Sequence, residues 1–294
     1  MKKVLLMIAA ALLLMTQCRK NEMPAVMSET NTVRMTVTVG SGSKTDIAND
    51  GTITWDNPSD ISDDSKKEKL YVSNGTKCIG CLTITGVSTD KKVGTFSGDV
   101  TLPDGTTGEQ TFHFFYLGNC NSIAWNPQNT VEGSQNIDKT EPWSNATSAT
   151  VVFSGQSGKL DELEKFHIGY GDGNLKEVVN ETGKVEISGI VSMESKVALV
   201  QFNFTKDKDN DDPVTVSGIY DKMTVNFNGS SEDSYKDGET GTFTLNDNEA
   251  YVMLVPTTTV TELKLFYHNK TRLVTFNEGI KENKFYKVSV DFTK

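Results

Sequence analysis

The chain has 294 residues and a formal net charge of −10, with 39 acidic side chains against 29 basic ones. That balance argues against nucleic acid as a partner and against an electrostatic grip on anionic lipid, both of which need a basic face. Apolar residues make up 36% of the chain and recur along its whole length, so a core can be buried; the size fits one large domain or two medium ones.

The first eighteen residues give the address. Lys2 and Lys3 precede an unbroken apolar run from Val4 to Met15. A charged start followed by about a dozen apolar residues is a secretory signal, because a membrane span needs roughly 20. The run ends in Leu14-Met15-Thr16-Gln17-Cys18, which resembles a bacterial lipoprotein cleavage site. Residues 1–17 are therefore expected to be a lipoprotein signal peptide and Cys18 the lipidated residue. The bland alternative is an ordinary signal peptide cut nearby at small residues. Residues 18–32 are polar and aperiodic and read as a tether.

The body starts abruptly. Val33, Met35, Val37 and Val39 alternate with Arg34, Thr36, Thr38 and Gly40, the period of a half-buried strand. Residues 52–55 form the next strand, residues 58–69 a charged loop, and residues 70–72 a strand that ends in the hairpin signal Asn74-Gly75. Residues 78–85, 93–100, 111–117 and 149–153 also read as strands. A polar stretch at residues 119–148 is too long to be featureless, so part of it is expected to pack or pair. Residues 160–166 (LDELEKF) place apolar residues three apart with acids early, which predicts one short helix. From Lys184 short strands follow one another to Phe292. The spacing predicts an all-β fold of two tandem antiparallel β-sandwich domains, residues 33–190 and 191–294, with one short helix.

Candidate chemistry is sparse. Beyond Cys18 the cysteines are Cys78, Cys81 and Cys120, an odd number. Cys78-Ile79-Gly80-Cys81 lies in a predicted strand, whereas a redox pair is expected at a helix start, and no second CxxC completes a zinc site; packing is the expected role. Asp207, Asp209 and Asp211 are two apart, but an EF-type loop needs Gly and Glu where this chain has Asp212 and Gly218. His113, His167 and His268 share no ligand spacing and have no nucleophile elbow beside them. No metal, cofactor or enzymatic activity is expected. Trp125 and Trp143 are candidates for contact with a sugar ring, with loop anchoring or core packing as the alternative.

Several stretches, taken in order, carry a family resemblance. They are Ser43–Asp46 (SKTD), Gly51–Trp55 (GTITW), Leu70–Gly75 (LYVSNG), Phe112–Gly118 (FHFFYLG), Gly155–Gly158 with Leu163 and Phe166–Tyr170, Lys196–Phe202, Tyr251–Pro256 (YVMLVP) and Lys284–Val290 (KFYKVSV). Together they resemble the fimbrillin-family lipoproteins of anaerobic Gram-negative gut and oral bacteria. One departure is the loop Asp56–Lys69, longer and more charged than the family's usual short turn. The resemblance implies transthyretin-like sandwiches and an outer-membrane lipoprotein at the cell surface or in a fimbria. It also implies partnership with other pilus subunits by β-strand exchange, and removal of an N-terminal segment by an Arg-specific protease. The chain has three arginines, Arg19, Arg34 and Arg272. Arg34 is the cleavage candidate; its alternative role is an outward residue of the first strand. The implied function is a structural or accessory (tip or anchor) fimbrial component that supports adhesion. The competing reading is a surface binding module for a glycan or a host protein.

Overall fold

A computed structural model describes residues 30–40, 46–47, 53–103, 105–118, 123–127, 141–179, 181–207, 212–228, 235–237, 240–258 and 261–294. The leader, Cys18, the tether up to residue 29, Cys120, most of the 119–148 stretch, Asp209 and Asp211 lie outside the described residues.

The chain is built from strands. They are β1 (Thr30–Gly40), β2 (Asp46–Ile47), β3 (Ile53–Thr54), β4 (Lys69–Ser73), β5 (Cys78–Val87), β6 (Gly94–Pro103), β7 (Glu109–Tyr116), β8 (Ile123–Pro127), β9 (Ala146–Val152), β10 (Gly169–Val179) and β11 (Val185–Ser192). There follow β12 (Glu194–Ser195), β13 (Ala198–Thr205), β14 (Val214–Tyr220), β15 (Lys222–Asn226), β16 (Tyr235–Asp237), β17 (Thr240–Leu245), β18 (Glu249–Leu254), β19 (Glu262–Tyr267), β20 (Lys270–Thr275) and β21 (Phe285–Asp291). The expected short helix is present as a 3-10 helix, Leu160–Phe166. At three residues per turn its apolar positions, three apart, fall on one edge, and Leu163 and Phe166 are buried there.

The expectation of an all-β chain holds; the way the first sheet buries its apolar face differs from the expected sandwich. That sheet runs β11-β1-β6-β5-β4-β7-β10-β12, and β10 also pairs with β11, so seven strands close on themselves as a barrel. Closure needs β11 to bridge its neighbours: it lies parallel to β1 over Arg34–Gly40 and antiparallel to β10 over Glu177–Val179. A closed sheet has no need of a facing sheet, because its inward side chains meet one another. Met35, Val37, Val39, Leu82, Phe96 and Phe114 are all at most 0% exposed inside it. Trp55 fills one end, edge-on to Phe96 at 5.0 Å and to Tyr116 at 5.4 Å. Gly171 of β10 lets the chain cross close by: a Cβ there would lie 2.3 Å from the Ser192 carbonyl oxygen.

The outside of the barrel wall is partly dry as well. Tyr71, Cys78, Phe115 and Tyr170 point outward into a second core shared with β9, β13–β15, β17–β19 and the 3-10 helix. Three sheets surround that core, in the orders β16-β15-β9-β8, β17-β14-β19-β20 and β18-β13-β21. The first of these joins β8 and β9 to β15 and β16, so it draws strands from both sides of residue 190. The final strand, β21, is an edge strand lying parallel to β13.

Candidate functional site

Arg34 is placed by the alternation of β1. Its neighbours Val33 and Met35 are buried in the barrel, so Arg34 must face outward. There its Nη1 lies 3.3 Å from Asp99 Oδ1 of β6, with the two side chains 50% and 62% exposed. An ion pair this open is worth at most about 1 kcal/mol. Its other cross-strand neighbour is Glu186 of β11, and a cleft of about 440 Å³ lined by Thr32, Asp99, Lys184 and Glu186 opens beside it.

The backbone around Arg34 is asymmetric. β1 pairs with β6 from Thr30 to Val39, but with β11 only from Arg34 onward. Residues Thr30–Val33 are thus held on one edge, and Met35–Val39 on both. The step from one-sided to two-sided pairing falls between Val33 and Arg34, one peptide bond before the Arg34–Met35 bond. Sequence reasoning found Arg34 but missed Asp99 and Glu186, whose approach depends on pairings 65 or more residues apart along the chain.

The two candidate sugar-contacting tryptophans are half-buried. The Trp125 ring stacks on Phe227 (6.2 Å, 11° between planes) and meets Tyr71 edge-on at 4.8 Å, and Trp143 packs against the same core. The sequence candidates therefore do not share a site with Arg34.

Cys78 and Cys81 both face the outer core because a register slip at Val72/Ser73 leaves Ile79 as an extra residue between them. Burial pushes both thiols up, that of Cys81 to about 12, which leaves them protonated and unreactive at neutral pH. The histidines are scattered. His113 Nδ1 lies 2.9 Å from the Tyr170 hydroxyl, His167 Nε2 3.0 Å from Ser195 Oγ, and His268 Nε2 3.0 Å from Asp212 Oδ2. Burial holds His113 below the usual imidazole value. Asp207 is paired with Lys270 at 2.7 Å. Among the described residues no helix is long and apolar enough to cross a membrane.

No protein-family model and no curated protein matches the chain. Solved structures that resemble it in shape include proteins described as fimbrial or as cell-adhesion proteins. They include a candidate cell adhesion protein from Bacteroides uniformis, 13% identical with a TM-score of 0.49, covering 89% of this chain and 93% of that one. The tip fimbrial protein Mfa3 from Porphyromonas gingivalis, C-terminally truncated, is 9% identical with a TM-score of 0.46, covering 90% of this chain and 97% of that one. A fimbrial protein from Bacteroides ovatus is 12% identical with a TM-score of 0.39, covering 89% of this chain and 49% of its own length. Each TM-score is below one half, and a likeness of that size assigns no function.

Proposed function

We propose that this chain is a fimbrial subunit or an accessory tip or anchor component. In this reading it is exported as an outer-membrane lipoprotein through Cys18 and assembles by β-strand exchange in support of adhesion. The observation that carries the reading is that Arg34 is the first doubly paired residue of β1, next to the singly paired segment Thr30–Val33. Cleavage after Arg34 removes the lipid together with Thr30–Arg34 and leaves Met35–Val39 paired with both β6 and β11. The part that leaves contributes one buried apolar side chain, Val33, so its departure costs only about 1.5–3 kcal/mol of apolar burial. What it uncovers is the backbone edge of β6 from Asp99 to Pro103, with Val100 and Leu102 facing the barrel interior. An uncovered edge of this kind is a template for a strand from another subunit, which regains the lost hydrogen bonds and refills the Val33 position. Because the scissile bond lies in a ladder, the protease acts once this half-strand has lifted or before it has docked.

N-terminal sequencing of the native surface protein tests the reading, together with gels run after mild detergent. The expected result is a start at Met35 and a ladder of high-mass species, both lost in Arg34→Ala. A protein that begins at Cys18, runs only as monomer and forms no surface filaments overturns it.

A further inference from the structure

β18 stands at the edge of the sheet β18-β13-β21. Its stretch Ala250–Val255 (AYVMLV) holds no charge, glycine or proline. A bare edge of that composition is a template for pairing with another chain. The residues that ordinarily guard against such pairing stand only at its ends, as Glu249 and Pro256.

That edge is not bare. The amides of Tyr251 and Met253 are taken up by the segment Gly155–Gly158, which precedes the 3-10 helix. Tyr251 N donates to the Gly158 carbonyl at 2.7 Å. Met253 N donates to Gln156 Oε1 at 2.7 Å, and Gln156 Nε2 donates to the Met253 carbonyl at 2.9 Å. The Gln156 side chain thus makes with Met253 the pair of bonds that a residue of a neighbouring antiparallel strand would make. It is 2% exposed, and its Nε2 also reaches the Phe153 carbonyl at 3.2 Å. The segment does not extend the sheet, because Gly155 and Gly158, at φ 85° and 88°, turn the chain out of the extended form. Gly158 lies so close to β18 that a Cβ there would be 3.0 Å from that of Ala250. Ser157 Oγ ties the segment to the 3-10 helix by donating to Glu162 Oε2 at 2.6 Å.

We infer that Gly155–Gly158 is a strap that keeps β18 from pairing with the β18 of a second copy, and that Gln156 holds it shut. Without the Gln156 amide, Met253 keeps a buried N–H and C=O that lack partners, and another strand supplies both. The partner that fits is a second copy of this chain. Two β18 strands related by a two-fold axis run antiparallel, meet along an uncharged stretch and join their sheets into one. The inference does not rest on cleavage at Arg34 or on strand exchange at β1.

The test uses the mature chain carrying Arg34→Ala, so that processing plays no part. Gln156→Met keeps the length of the side chain and removes its hydrogen bonds. Sedimentation velocity over a concentration series is expected to show a monomer with Gln156 in place. Gln156→Met is expected to form a reversible dimer, with association at least about tenfold tighter. Amide hydrogen exchange at Tyr251 and Met253 is expected to be fast in the dilute variant and to slow as the dimer fills. Gln156→Asn, one methylene shorter with its amide retained, is expected to show the same change at smaller amplitude, and it carries the test if Gln156→Met does not fold. A folded variant that stays monomeric overturns the inference, as does equal dimerisation with Gln156 in place. A dimer in which those two amides exchange as fast as in the monomer also overturns it, because association then runs through another surface.

Discussion

Adjacent substitutions in β1 separate its two faces. Met35 is 0% exposed in the barrel, where its cross-strand neighbours are Gly98 and Ile187. Gly98 has no side chain to move into a gap, and its own surroundings are fixed by backbone: a Cβ there would lie 2.5 Å from the Cys81 carbonyl oxygen. Met35→Ala therefore leaves an unfilled cavity, and the expected loss of stability is about 3–5 kcal/mol, the upper part of the range for such truncations. Arg34→Ala removes only the open pair with Asp99 and is expected to cost about 0–1 kcal/mol. The assay is urea unfolding of the mature chain followed by tryptophan fluorescence, with Trp55 inside the barrel as the local reporter. A Met35→Ala loss below about 1 kcal/mol refutes the assignment of Met35 to a packed interior. An Arg34→Ala loss near that of Met35→Ala refutes the outward placement of Arg34 and disqualifies that variant as a probe of processing.

Trp125→Ala is expected to destabilise the chain by about 2 kcal/mol, roughly half the usual cost for a core aromatic, because its half-buried ring packs on Tyr71 and Phe227. An unchanged unfolding midpoint in the same assay shows that those ring contacts carry no weight. His113 gives a pH dependence of defined sign. Burial lowers its folded pKa below the 6.5 of the free side chain, so the unfolded chain takes up a proton first as pH falls. The contribution is present above 6.5 and is lost as pH drops through 6.5 towards the lowered folded value. Urea midpoints for the parent and for His113→Gln are expected to converge as pH falls from about 7.5 to 5; parallel profiles refute it.

What the sequence by itself determined was local. Period-two alternation marked β1, apolar runs marked the strands β7, β13 and β19, the Asn74-Gly75 turn marked the β4–β5 hairpin, and apolar residues three apart marked the 3-10 helix at Leu160–Phe166. These signals are written in neighbouring residues; β1 and β19 bury one face, whereas β13 is buried on both along most of its length. The strands missed were those whose pattern is set by distant neighbours. β10 begins Gly-Tyr-Gly-Asp-Gly, and its glycines break the alternation because Ser192 passes too close to Gly171 for any side chain. β8 lies in a stretch that reads as loop and becomes a strand only by pairing with β9.

The site divides in the same way. The sequence singled out Arg34 as a rare arginine at the start of a strand, and Trp125 as a tryptophan in a long polar stretch. Only tertiary structure made Arg34 the first residue of β1 to be paired on both edges, since that depends on where β11 begins beside β1. Only tertiary structure set Trp125 against Phe227 and brought the charged loop over Gly118 and Lys165. Closure of the first sheet was likewise decided by one long-range ladder, β1 with β11, over 150 residues apart. No local pattern records such a pairing, because alternation says which face of a strand is dry and not which strand lies beside it.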